Sequence, residues 1–159
     1  MITFTKDNVR FNYRIAGVVI HNGRVLLSRV EGWNFWFLPG GRAEMMEPAQ
    51  ETLRREMREE LATNVEIERL LWVVENFFKF DEQNFHETGL YFLMSLPENS
   101  PLYQREGPFA GKEEHINLIF QWFRLVELPQ IRLHPNFLPQ ALQSLPATTQ
   151  HIVHKDSGL

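Results

Sequence analysis

The hydrophobic positions along the chain follow two periods, and the switch between them outlines the elements. Residues 14–20 are rich in Val and Ile and read as a strand. Asn22-Gly23 follows, a pair that accepts positive φ in a tight hairpin turn. The chain returns over 24–29, with Val25 and Leu27 alternating against mostly polar neighbours. Residues 33–38 are aromatic and extended, and stop at Pro39-Gly40-Gly41. The period then turns helical over 48–61, where Ala49, Leu53, Met57 and Leu61 recur every four residues. Pro48 sits in the first turn, where no amide hydrogen is needed. Residues 65–78 hold one or two strands, and 90–96 and 116–125 are strands dense in β-branched and aromatic residues. Residues 137–145 predict a short helix after Pro135, and 146–159 form a tail without assignment. Strands before, between and after two helices predict the α/β class, with a mixed sheet sandwiched between helices.

Composition narrows the function. The 159 residues suit one domain spanning 1–159, and 43% hydrophobic content is enough for its core. A net charge of −4 counts against nucleic acid as a partner. A mildly acidic protein that handles phosphates must attract them locally, through a metal or a few basic side chains. With no cysteine, a disulfide scaffold and any Cys-based nucleophile or metal site are excluded, which fits a cytoplasmic setting. Residues 1–10 are polar, and no apolar run approaches the roughly 18 residues needed to span a membrane.

The chemistry concentrates in 38–64, LPGGRAEMMEPAQETLRREMREELATN. On a helix, Glu56, Glu59 and Glu60 are related by steps of three and four, so their carboxylates cluster. Glu56 and Glu60 fall at the edge of the apolar stripe, where like charges repel and lose hydration. A divalent cation would offset both costs, and hard carboxylate oxygens are what Mg²⁺ prefers. The same charge pattern also occurs on exposed helices, paired as Arg55 with Glu59. The preceding loop favours a site: Pro39-Gly40-Gly41 lets the backbone turn sharply and approach a ligand closely.

This segment resembles the Nudix box: Gly, five residues, Glu, seven residues, then Arg-Glu-aliphatic-any-Glu-Glu-any-Gly-aliphatic. Gly41, Glu47, Arg55, Glu56, Glu59 and Glu60 fill its fixed positions, and Met57 the first aliphatic one. At about 7% usage each, six such matches arise by chance at roughly one start in ten million, so the resemblance is specific. Ala62 replaces the closing Gly and Thr63 the last aliphatic residue. Asn64, which tolerates the left-handed conformation, is expected to end the helix instead.

The resemblance implies a Nudix-like α/β/α sandwich that hydrolyses a pyrophosphate bond in a nucleoside diphosphate linked to another moiety. Nucleoside triphosphates, nucleotide sugars and dinucleoside polyphosphates all belong to that class. It implies Mg²⁺, with Mn²⁺ as a substitute, held by Glu56, Glu59, Glu60 and the carbonyl of Gly40. Arg55 and Glu47 would orient the carboxylates, and Gly41 would line the substrate. A further Glu often comes from a later loop in the family, and Glu113 or Glu114 in 111–114 is the candidate for ligand or general base. Weaker substrate-binding candidates are His86 and Glu87 at a strand start and Arg29 at the end of another. Glu75 and Asn76 are similarly placed. One of Trp33, Phe35, Trp36 and Phe37 is a candidate to stack on a base. His21, His115, His134, His151 and His154 show no metal-ligand spacing and read as incidental. The alternatives are a nucleotide-binding sensor of the same fold and a pyrophosphohydrolase of RNA 5′ ends. A homodimer is a further expectation of the resemblance.

Overall fold

The computed structural model describes residues 1–113 and 115–156. Among the described residues, three hairpins turn on consecutive left-handed residues, the geometry that matches strand twist. Asp7 and Asn8 (φ 50° and 62°) join β1 (Thr3–Lys6) to β2 (Val9–Val18). Asn22 and Gly23 (φ 50° and 71°) join β3 (Ile20–His21) to β4 (Arg24–Val30), as their sequence predicts. Asp81 and Glu82 (φ 49° and 63°) join β6 (Glu66–Phe80) to β7 (Gln83–Ser95). The remaining elements are β5 (Gly40–Arg42), α1 (Ala49–Leu61), β8 (Phe109–Glu113), β9 (Ile116–Arg124), α2 (Leu138–Ala141) and β10 (Gln150–Lys155).

Two sheets result. One runs β1-β2-β7-β6-β10 with β5 on β2; β2–β7 and β6–β10 are parallel and the other pairs antiparallel. The other is antiparallel, in the order β3-β4-β9-β8. Strand alternation sends side chains to two cores. Ile15, Leu26, Phe92 and Phe120 pack with Leu53 and Met57 of α1. Ala16, Leu27, Trp72 and Tyr91 pack with Leu128 and with Leu138 and Leu142 around α2. A mixed sheet flanked by helices is therefore the architecture, as expected. Leu53 and Met57 are fully buried, each contributing about 1.5–3 kcal/mol.

Several local expectations change. Residues 66–78 are part of one 15-residue strand, and β7 begins at Gln83 rather than near residue 90. Gly40-Gly41, read as loop, is a strand because β2 supplies its pairing partner. Residues 109–113 are likewise a strand, paired with β9. The helix expected over 137–145 shrinks to Leu138–Ala141. Within the unassigned tail, Gln150–Lys155 pairs in parallel with β6. At the end of α1, Ala62 itself adopts the left-handed conformation (φ 52°), so Asn64 does not take over the stop. The Ala62 amide donates to the Arg58 carbonyl at 3.0 Å. An Ala in that conformation costs about 1–2 kcal/mol. Among the described residues no helix is long and apolar enough to cross a membrane.

Candidate active site

The site forms where β5 passes under α1. Gly40 (φ +150°) lies so close to β2 that a Cβ would stand 2.0 Å from the Ile15 carbonyl oxygen. At Gly41 a Cβ would stand 2.2 Å from the Glu56 carboxyl carbon. Pairing with β2 thus brings bare backbone directly beneath a carboxylate of α1.

Arg55 is the hub. Its Nε and Nη2 donate to the two oxygens of Glu47 at 2.8 and 3.0 Å, a bidentate pair. Its Nη1 donates to Glu56 Oε1 at 2.9 Å and to Glu59 Oε2 at 3.2 Å. Nη2 also reaches the Arg42 carbonyl at 3.3 Å, which ties α1 to β5. Glu47 accepts further bonds from Thr52 Oγ1 at 2.6 Å and the Glu44 amide at 3.2 Å. The Arg55 hydrogen bonds hold the Glu47 carboxyl down at about 2. Glu47 in turn holds the Arg55 guanidinium above its ordinary range. Glu56 differs: burial pushes its carboxyl up, Glu59 adds to the rise, and Arg55 and Arg14 oppose it. Glu47, Arg55, Glu56, Glu59, Gly40 and Gly41 therefore come together.

Glu60 is buried in the last turn of α1. There β8 comes close enough that a Cβ at Gly111 would lie 3.1 Å from the Glu60 carbonyl oxygen. Glu113, two residues further along β8, pairs with Ile116, while Glu114 lies outside the described residues. Arg29 is engaged elsewhere: Nη1 donates to the Trp33 carbonyl at 2.8 Å, and the guanidinium lies 5.1 Å from the Trp36 ring centre. His86 and Glu87, adjacent in sequence, face opposite sides of the sheet. His86 packs between the rings of Phe11 and Phe77 at 5.4 and 4.6 Å. Glu87 is buried and hydrogen-bonded to Asn12 and Asn76, and its burial raises its carboxyl pKa against the opposing pull of Arg14.

Sequence reading did not single out Arg14 or Arg42. They are paired across β2 and β5. Arg14 acts electrostatically on both Glu56 and Glu87, and its Nη2 donates to the Leu38 carbonyl at 2.8 Å. The available signal was Arg14 inside an otherwise apolar strand and Arg42 directly after the glycines. Their convergence depends on a β2–β5 pairing that no local pattern announces.

The donor chemistry fits a hard divalent cation: Glu56, Glu59 and Glu60 supply carboxylates from successive turns of one helix. Among the described residues, no three His, Asp or Glu side chains already gather at metal-binding spacing. Arg55 draws Glu56 and Glu59 toward itself instead, as a cation standing in the cluster would be expected to do.

Residues 12–145 match the NUDIX domain family. No curated protein sequence matches the chain. An ADP-ribose pyrophosphatase from Streptococcus suis superimposes with a TM-score of 0.58 at 15% identity, over 90% of this chain and 98% of that one. A UDP-X diphosphatase superimposes with a TM-score of 0.61 at 20% identity, over 89% and 66%. A MutT NUDIX hydrolase from Burkholderia pseudomallei superimposes with a TM-score of 0.56 at 25% identity, over 81% and 95%.

Proposed function

The chain belongs to the NUDIX family of hydrolases, and from that premise we propose that it cleaves the pyrophosphate bond of a nucleoside diphosphate linked to another moiety. The observation that carries this reading is the Arg55 hub, which gathers Glu47, Glu56 and Glu59 above the bare backbone of Gly41. The names of the ADP-ribose pyrophosphatase and the UDP-X diphosphatase describe substrates of this class for those proteins.

Glu56, Glu59, Glu60 and the Gly40 carbonyl are the groups that would hold Mg²⁺ or Mn²⁺. Such a cation, when bound, draws charge from pyrophosphate oxygens and lowers the pKa of a water. The chain's own groups do the rest. Glu47 locks Arg55 from one side, so the guanidinium presents a fixed edge to Glu56 and Glu59. Arg14 acts electrostatically on both Glu56 and Glu87, and Arg42 on Glu87, so both are placed to offset phosphate charge. The absent Cβ at Gly41 leaves the Glu56 carboxylate its position. Glu113, the last residue of β8, or Glu114 takes the proton of the attacking water. His86 and Glu87 belong to the substrate side, and Arg29 supports the aromatic segment through Trp33 and Trp36.

The test is a hydrolysis screen over nucleoside triphosphates, nucleotide sugars and dinucleoside polyphosphates with Mg²⁺ and with Mn²⁺. Turnover of at least one class is expected. It should vanish in EDTA and fall by orders of magnitude in Glu59→Gln and Glu60→Gln. Wild-type turnover in both variants would remove these carboxylates from the reaction.

A further inference from the structure

Two rows of side chains cross the first sheet one residue apart, on opposite faces. The register aligns Phe4, Phe11, His86 and Phe77 on one face. On the other it aligns Thr3, Asn12, Glu87, Asn76 and His154, one residue from each of five strands. The hydrogen bonds of this second row run inward from both edges. Thr3 Oγ1 donates to Asn12 Oδ1 at 2.8 Å, so the Asn12 amide nitrogen is the group that meets Glu87. His154 Nδ1 lies 2.8 Å from Asn76 Oδ1. That oxygen only accepts, so Nδ1 carries the proton and Asn76 likewise turns its NH₂ to Glu87. Glu87 retains 8% exposure, against 2% for Tyr91 and 1% for Trp72 on the same face.

A carboxylate offers about four acceptor positions, and the two amides take only part of them. Beside it lie Arg14 and, 5.5 Å from the Arg14 guanidinium, the ring of Phe37, which belongs to an aromatic cluster with Trp33 and Phe35. A polar floor held rigidly from both sides, next to an aromatic wall, suits a nucleoside. Thr3 and His154 both lie outside the family match of residues 12–145.

We propose that this row is a recognition floor for a substrate group with two adjacent hydrogen-bond donors, which Glu87 accepts, and that Thr3 and His154 are positioning residues that aim the two amides. The shared chemistry is a paired donor edge, either the cis-diol of a ribose or the N1–H and 2-amino edge of guanine. The proposal rests on the hydrolase reading above. A site built around hydrogen bonds to a substrate rejects an analogue lacking them, because its buried polar groups are left unpaired.

The experiment measures calorimetric affinities for ADP against 2′-deoxy-ADP and for GDP against IDP, together with steady-state kinetics on the best substrate. The wild type is expected to favour ADP or GDP over its partner by about tenfold or more, the scale of a hydrogen bond to a charged group. The first ratio reports a diol and the second a guanine edge. His154→Ala and Thr3→Val, at opposite edges of the sheet, should each bring the ratio toward one and raise KM more than they lower kcat. His154→Asn, which keeps a donor near the Nδ1 position, should restore the ratio. His151→Ala, on the same strand but facing Glu75, should leave it unchanged. Ratios near one in the wild type, ratios unchanged in both edge variants, or no recovery in His154→Asn would each overturn the proposal. Absence of any pyrophosphate hydrolysis by the wild type would instead sink the hydrolase reading and leave the binding ratios standing.

Discussion

Replacing Gly41 by Ala should separate activity from stability. The added Cβ would sit 2.2 Å from the Glu56 carboxyl carbon, 2.3 Å from Oε1 and 2.6 Å from Oε2. Ordinary contact needs at least about 3.4 Å, so the carboxylate must retreat by roughly 1 Å. It is the far end of a side chain and can swing, so the backbone survives. The retreat breaks the 2.9 Å bond from Arg55 Nη1, a loss of about 1.5–3 kcal/mol. The stiffer unfolded chain returns about 0.4–1 kcal/mol. The net cost of about 0.5–2.6 kcal/mol lowers Tm by roughly 1–10 °C for a chain of this size. A displacement of about 1 Å in catalytic machinery costs on the order of 100-fold in rate. The assays are a thermal melt and kcat at 25 °C on the best substrate from the screen. Gly40→Ala is the contrast: its Cβ meets the Ile15 carbonyl oxygen at 2.0 Å and its φ is +150°, so it should damage folding first. A Gly41→Ala protein with wild-type kcat would refute the placement of Glu56 in the reaction.

Ala62→Gly should raise stability by about 1 kcal/mol, read in a urea melt, because Gly adopts φ 52° without a Cβ penalty. Glu47→Gln should lose its disadvantage in acid. The carboxyl is held at about 2 against an ordinary 4.5, so its contribution is complete above 4.5 and is lost as pH falls toward 2. Wild-type and variant stability curves should therefore converge over that interval, and a constant offset would contradict the Arg55–Glu47 bond as its source. Glu60→Gln should melt no lower than wild type in EDTA and gain less from Mg²⁺; equal gains would show that Glu60 is not a ligand. Of Glu113→Gln and Glu114→Gln, one should lower kcat far more than it raises KM; if both and the double variant keep kcat, the base lies elsewhere.

Local sequence determined what depends on short range. The four-residue recurrence of Leu53 and Met57 marks α1, and the same spacing puts Glu56, Glu59 and Glu60 on neighbouring turns. Asn22-Gly23 marks its hairpin because φ is a property of single residues. The box residues from Gly41 to Glu60 carry the family by themselves, since spacing along one helix and one loop is already geometry. What only the tertiary structure decided depends on pairing between distant strands. Gly40 and Gly41 read as a loop until β2 supplies hydrogen bonds, and Arg14 meets Arg42 only through that pairing. The 150–155 segment has little to bury alone and becomes a strand against the open edge of β6. His86 and Glu87 were adjacent candidates in the chain; the pleat sends one into an aromatic row and the other into a polar row. His134 and His154 looked incidental for the same reason. His154 reaches Asn76 across 78 residues of sequence, and His134 packs on Phe35 at 5.2 Å. Hydrophobic period specifies which face of an element is buried, but register between strands is set by the whole set of faces packing at once, so contacts across the sheet become legible only in the folded chain.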